Sequence, residues 1–416
     1  MGSFTLQLTA IAHGGAALGR HEGRVIFVPY ALPGETVRAE ITEDKGRFAF
    51  ASLIEVLEPF PDRIAPPCPH FGLAAHGGAG CGGCQWQHVD YQTQLRFKAE
   101  IVADQLTRIG KLSAPLVRPT LPDGSGWAYR NHAQLHPVPD GGLGFQAASG
   151  DEVIPIEECP ILHPLLTDLY AALDLDFEGL RRLSLRAGVA SGERMLVFEM
   201  AEDLPPALEI DLPVSCVLLL SDGRHANLIG HNHITETVVG HTYRISAPSF
   251  FQVNTPQAAQ LVRLVLEYLD LRGDETVLDA YCGVGLFTTH LAERAGLVVG
   301  VESSPAAVAD LLDNTSAFDN VDVIEGPVEA VLSDLDTRFD AAIVDPPRAG
   351  VDRFALDALV ARRPARLVYV SCDPATLARD AKRLARGGYR LVEVQPVDMF
   401  PQTYHVESVA LFVLGG

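Results

Sequence analysis

Beyond residue 255 the chain alternates short apolar runs with amphipathic stretches. The runs are TVLDAY (276–281), LVVGVES (297–303), VDVIEG (321–326), AAIVDPP (341–347), RLVYVSC (366–372), YRLVEVQPV (389–397) and SVALFVL (408–414). When helices intervene between strands, each crossover brings the chain back to the same edge, so this half must form a parallel sheet wrapped by helices. Only the last two runs lack an intervening helix, which predicts a terminal antiparallel hairpin. Open α/β sheets bind ligands outside the carboxyl ends of their strands. Four of these strands end in or near a chemically capable side chain: Asp279, Glu302, Asp345 and Cys372.

The N-terminal part follows another pattern. Residues 4–58 read as short strands, FTLQLTAI, RVIFVPYAL, TVRAEITED and FAFASLIEVLE, with HGGAALGRHEG taken as a turn after the first. Several short strands with no helix predict a small OB-like β-barrel. PFPDRIAPPCPH (59–70) carries five prolines and marks a boundary. A helix is predicted from about Tyr91 to Ile109, placed to pack on the C-terminal domain, and 113–245 reads as mixed α+β with GERMLVFEM and SCVLLLSDG as strands. At 416 residues the chain exceeds what one core organises. The expectation is a multidomain α/β protein divided at 1–60, 61–245 and 246–416.

The formal charge of −21 argues against indiscriminate binding of polyanions but leaves room for a local basic track. Arg379, Lys382, Arg383, Arg386 and Arg390 form one candidate, and KGRFAF (45–50) another. Each reads first as a solvated face and alternatively as a nucleic-acid surface. No stretch of 18 apolar residues occurs, and MGSFTLQLTA has neither a basic nor an apolar leader region, so a cytoplasmic location is expected. Seven cysteines, an odd number without a secretion signal, favour metal, cluster or catalytic roles over disulfides.

The loop CGVG places Gly283 and Gly285 where backbone can approach a ligand. Glu302 ends the next strand, where an acid accepts hydrogen bonds from a ribose diol. Thr288 and Thr289 occupy the region where a dinucleotide fingerprint needs its third glycine. With the terminal hairpin, this favours S-adenosylmethionine (SAM) over NAD. Enzymes that methylate exocyclic amines end the turn after the fourth strand in an aromatic; here DPPR ends in Arg348, which points to a different target atom. Cys372 supplies an alternative chemistry, because a thiolate added to C6 of a pyrimidine makes C5 nucleophilic. The helix N-terminus that follows it is expected to lower the thiol pKa. The competing reading is a core thiol. His405 and Glu407 in HVES are both candidates for the base that removes the C5 proton, a surface ion pair being the alternative for Glu407. Cys81 and Cys84, as CGGC, fit a redox dithiol or structural zinc.

SCDP with the late HVE, DPPR, YCGVG, FFQVN (250–254), CGGCQWQH and IAHGGAALGR…RVIFVPYALPGE together resemble the RNA uracil-5 methyltransferase family of TrmA and RumA type, over nearly the whole chain. The resemblance implies a TRAM domain, a central domain and a class I SAM-dependent, Rossmann-like methyltransferase domain. It implies Cys372 as nucleophile, Glu407 as base, and Gln252, Tyr281, Glu302 and Asp345 as SAM contacts. It adds Cys68 and Cys159 to Cys81 and Cys84 as ligands of a [4Fe–4S] cluster. Three positions depart from the family pattern: the gap between Cys68 and Cys81 is long, with HFGLAAHGGAG read as a flexible loop, Leu286 stands where relatives place Asn, and Pro327 lies near where Asn or Asp contacts adenine. The implied substrate is C5 of a uridine in structured RNA, flipped into the site. Ribosomal RNA ranks ahead of transfer RNA because cluster and TRAM domain occur together. No membrane and no obligate protein partner are implied. A catalytically idle RNA-binding protein of the same fold and a radical iron–sulfur enzyme are the other classes weighed. The presence of both Cys372 and Glu407 argues against the first, and the lack of a CxxxCxxC run against the second.

Overall fold

The computed structural model describes residues 2–72, 80–139, 141–148, 150–174 and 178–415. Most of the HFGLAAHGGAG loop, residues 73–79, lies outside them. Strands β1 (Phe4–Ile11), β2 (Ala17–His21), β3 (Arg24–Val28), β4 (Thr36–Asp44) and β5 (Phe48–Glu58) close into a barrel in the order β1-β2-β3-β5-β4. Alternate residues face inward, so Leu6, Leu8, Ile26, Val28, Val37, Ala39, Ala49 and Ala51 are buried together. HGGAALGRHEG is therefore not a single turn, since its second half is β2, paired with both β1 and β3. The misleading signal is Gly19, which lies in the strand because a Cβ there would meet the Gln7 carbonyl oxygen at 2.2 Å.

The proline-rich connection is clipped to the barrel by Arg63, whose guanidinium donates to both oxygens of the buried Glu35 carboxylate at 2.6 and 2.9 Å. Helix α1 (Tyr91–Arg108) follows, and then a seven-stranded sheet in the order β12-β11-β10-β9-β6-β7-β8. Its strands are β6 (His132–Pro137), β7 (Leu143–Gln146), β8 (Val153–Pro155), β9 (Leu180–Ala187), β10 (Arg194–Met200), β11 (Ser215–Leu219) and β12 (His225–Ile229). Helix α2 (Pro164–Ala171) buries Leu166 and Leu169 in the core of this sheet, which also takes Cys216. Cys216, 0% exposed there, is a packing residue.

A hairpin of β13 (His233–Val238) and β14 (His241–Ser246) leads into the C-terminal half. There the elements are α3 (Thr255–Leu269), β15 (Thr276–Ala280), α4 (Leu286–Ala292), β16 (Leu297–Glu302), α5 (Pro305–Thr315), β17 (Val321–Glu325), α6 (Val328–Asp334), β18 (Ala341–Val344), α7 (Arg353–Arg362), β19 (Arg366–Ser371), α8 (Pro374–Arg386), β20 (Tyr389–Val397) and β21 (Glu407–Leu414). The sheet order is β17-β16-β15-β18-β19-β21-β20. β21 is antiparallel to both neighbours, as the missing crossover helix requires.

Successive residues on each strand go to opposite faces. Val277, Val298, Ile343, Val368 and Leu411 pack with α3, α4 and the β13–β14 hairpin. Leu278, Val299, Ala342, Leu367 and Phe412 pack with α6, α7 and α8. The hairpin, counted with the central region by sequence, packs against the C-terminal sheet. α1, far upstream, contributes Val102 and Leu106 to the second face. Among the described residues no helix is long and apolar enough to cross a membrane.

Candidate active site

The parallel strands deliver their ends to one cavity of about 1460 Å³, and its lining includes Gln252, Tyr281, Glu302, Asp345, Cys372 and Glu407. After β15 the chain turns through Tyr281 at φ +63 and Gly283 at φ +56, left-handed geometry that glycine adopts freely and tyrosine does not. The turn is held by Glu302, whose Oε2 accepts from Gly283 N at 3.0 Å and whose Oε1 accepts from Ser303 N and Ser304 N, each at 2.7 Å. Behind it, Asp279 is fully buried. Thr288 donates to its Oδ2 at 2.6 Å, while Oδ1 has no partner. Burial, with a smaller push from Glu302, raises this carboxyl to about 7. Asp345, pushed up to about 7 by burial and by Asp279, continues the acidic row.

Gln252 lies between β14 and α3 on a loop held from the central sheet. Arg186 of β9, itself buried, donates to the carbonyls of Ser246, Ala247 and Ser249 at 3.0, 2.8 and 2.9 Å. Asn131 donates to the Gln252 carbonyl at 3.2 Å. No strand-end argument would single out Gln252, because it precedes a helix and belongs to no strand of the sheet.

Cys372 is only partly buried and faces the cavity, unlike a core thiol. The expectation of a lowered thiol pKa is overturned: burial first, then the charges of Glu407 and Asp345, push it up to about 12. The α8 N-terminus does not offset this, because the Asp373 carboxylate already accepts from Ala375 N and Thr376 N at 2.8 and 2.9 Å. Burial works to raise Asp373 too, but the bonds from His13 and these backbone groups hold it down to about 2. Glu407 is 3% exposed, so it forms no surface ion pair. Burial and Asp345 raise its carboxyl well above the usual range, with Arg348 opposing. His405 lines the same cavity, and burial, assisted by Arg348, lowers it to about 4.

A brace beneath the segment 398–407 escapes sequence reading. Lys98 and Asp398, both fully buried, pair at 2.5 Å, and Lys98 also donates to the Phe400 carbonyl at 2.9 Å. Tyr91 donates to Asp398 at 2.8 Å, and Gln85 N and Trp86 N donate to the Gln402 carbonyl at 3.0 and 2.9 Å. The barrel joins in. His13 lies 3.2 Å from Asp373, and Gly15 packs so closely that a Cβ there would meet Tyr404 at 2.7 Å. The one legible hint is that Lys98 falls on the apolar stripe of α1 with Leu95, Val102 and Leu106, a place where a lysine needs a buried partner.

Cys68, Cys81, Cys84 and Cys159 line a second cavity of about 320 Å³, and Arg130 lines both cavities. Burial is the chief cause raising each of these thiols, Cys159 to about 11; neighbouring thiols add to it at Cys81, Cys84 and Cys159, and Glu158 does so at Cys68. Among the described residues, the group of three or more ligand atoms lying within 4.8 Å of one another is His241, His290 and Glu293, and the four cysteines do not form such a group. In the basic track, Arg379 pairs with Asp380 and Arg383 with Asp357, while Lys382 and Arg386 line the main cavity. On the barrel, Phe27, Phe48 and Phe50 form an aromatic cluster with the latter two exposed.

The family model described as tRNA (Uracil-5-)-methyltransferase matches residues 228–413, and the TRAM domain model matches 4–54. An uncharacterized RNA methyltransferase of Halalkalibacterium halodurans is 38% identical, over 97% of this chain and 95% of its own. Another from Streptomyces avermitilis is 36% identical over 98% and 97%. The crystal structure of the Pyrococcus abyssi tRNA (uracil-54, C5)-methyltransferase with S-adenosyl-L-homocysteine superposes with a TM-score of 0.78 at 27% identity, covering 99% of this chain and 100% of that one. The chain belongs to the uracil-5 RNA methyltransferase family and is a SAM-dependent RNA methyltransferase with an N-terminal TRAM barrel.

Proposed function

We propose that this methyltransferase acts through a covalent adduct between Cys372 and C6 of the target uridine, with Glu407 removing the C5 proton. One observation carries the reading: Cys372 and Glu407 face the same cavity as Asp345, close enough for each acid to raise the thiol. C5 of uracil is a poor nucleophile. Once the thiol has lost its proton to solvent, sulfur adds to C6 and the displaced electron pair makes C5 nucleophilic. SAM supplies the electrophilic methyl group and a positive charge, which with Arg348 favours the ionised forms of Asp345, Glu407 and Cys372. Glu302, Tyr281, Gln252 and Asp345 are the side chains that would hold it, Glu302 at the ribose. After C5 is methylated, the Glu407 carboxylate takes the C5 proton. The electron pair left behind restores the C5–C6 double bond and expels the Cys372 sulfur. Phe250, 69% exposed at the cavity, and the barrel aromatics are surfaces on which unstacked bases can lie.

For the four cysteines the donor set fits a [4Fe–4S] cluster. Four cysteine thiolates are the ligand set of such a cluster, and a structural zinc ion, which takes the same four ligands, is the alternative. Cys68, Cys81, Cys84 and Cys159 would hold the cluster as thiolates, which would join the Cys81–Cys84 turn to Cys68 and Cys159. The RNA is read first as ribosomal, from the combination of cluster and TRAM domain. Transfer RNA is a second reading, favoured by the substrate of the full-length Pyrococcus neighbour. Mapping 5-methyluridine in ribosomal and transfer RNA from cells with and without the gene decides between them, and an unchanged map in both would refute the activity on cellular RNA.

A further inference from the structure

Where the start of β14 meets the C-terminal end of α4, His241, His290 and Glu293 bring one ligand atom each to within 4.8 Å of one another. His241 opens β14, directly after the hairpin turn, and its Nε2 lies 3.1 Å from Glu293 Oε1. His290 is in the last turn of α4, and Glu293 caps that helix. The two imidazoles meet edge to face with centroids 4.5 Å apart.

A second observation separates this group from an ordinary surface cluster. His290 is 3% exposed, and its Nε2 has no hydrogen-bond partner, although a buried ring nitrogen left unpaired costs free energy. His290 also bonds the Val238 backbone, and with Nε2 unpaired that bond falls to Nδ1. Nε2 is then the ring nitrogen left free. A proton on Nδ1 given to a carbonyl leaves a lone pair on Nε2, as metal-ligating histidines are held.

We propose that His241, His290 and Glu293 form a binding site for a borderline divalent cation of the zinc class, clipping the β13–β14 hairpin to α4. Two nitrogens and one carboxylate oxygen suit zinc or cobalt, whereas magnesium and calcium take oxygen ligands. Glu293 is half-exposed, which leaves the fourth position to solvent. The site lies at the opposite end of α4 from the Cys282–Gly285 turn, so it steadies the helix that carries the cofactor loop and touches no reacting atom.

The full chain dialysed against Co²⁺ tests this. Wild type is expected to bind one equivalent with a weak d–d spectrum, separate from any thiolate charge-transfer bands of the cysteine cavity. The Cys81→Ser/Cys84→Ser chain should keep that equivalent and lose the charge-transfer bands. His241→Gln and Glu293→Gln, both at the accessible side, should each weaken the equivalent at least tenfold and leave the thiolate bands alone. Zn²⁺ at a hundredfold excess over Kd should raise Tm by roughly 4 °C, and Mg²⁺ should not. Folded His241→Gln and Glu293→Gln chains that bind Co²⁺ as wild type does would overturn the site, as would equal protection by Mg²⁺.

Discussion

Both cavities that Arg130 borders are lined by thiols raised by burial, yet the company those thiols keep differs. In the larger cavity, which Cys282 also lines from the turn after β15, the Cys372 thiol stands among the carboxyls of Glu407, Asp345 and Asp373, with Arg348 the opposing charge. In the smaller, four thiols line one cavity, and three of them, Cys81, Cys84 and Cys159, are raised further by their neighbours. A thiol among acids, as Cys372 is, stays protonated until a cation and a substrate arrive, which makes it controllable. Four thiols sharing a dry site can all ionise only around a positive centre, which makes them a holder.

The contrast breaks most sharply at Cys372. Cys372→Ala should reduce methylation to background while SAM still binds, and residual turnover near wild type would place the nucleophile elsewhere. Glu407→Gln should slow turnover about 10²- to 10⁴-fold, with a protein–RNA band surviving denaturing electrophoresis that is absent when Cys372→Ala is added. If the double variant still cross-links, Cys372 is not the adduct-forming residue. Glu302→Gln, which keeps the shape but not the charge, should weaken SAM about tenfold or more, in line with roughly 1.5–3 kcal/mol for a charged hydrogen bond. Calorimetry with RNA as the control ligand separates this from a general loss of binding.

The second cavity predicts a different signature. Protein purified without oxygen should be brown, and Cys81→Ser/Cys84→Ser should remove the colour. Because Gln85 and Trp86 hold the Gln402 carbonyl, that variant should also lower turnover severalfold with little change in SAM affinity. A colourless wild type with one bound zinc would refute the cluster.

The smallest effect concerns pH. Asp345 titrates near 7 in the folded chain against an ordinary value of 3.8, so the folded state holds a proton that the unfolded state releases. Its contribution to stability is present below about 4 and is lost as pH rises, the loss being complete above about 7. In the SAM-free chain, Asp345→Asn should therefore gain Tm relative to wild type across that window. A constant difference would mean Asp345 titrates normally.

Much of this was legible from local pattern. The parallel strands, the terminal hairpin and the acidic strand ends follow from hydrophobic alternation and the geometry of crossovers, which act over a few residues. The β2 strand was not legible, because Gly19 serves a close strand approach and looks like turn composition. The setting of Cys372 was misread for a related reason: the helix behind it is visible in sequence, but its capping by Asp373 and the approach of Glu407 are not.

Sequence alone determined the catalytic sheet, the barrel and the residues at the strand ends, because backbone pairing and side-chain alternation repeat within each element. Tertiary structure decided the rest. The partner of Lys98 lies 300 residues away at Asp398, His13 of the barrel reaches Asp373, and the proton affinities of Cys372, Glu407 and Asp345 exist only once their strands converge. Burial and Coulomb interaction depend on distance in space, and no spacing along the chain encodes that distance.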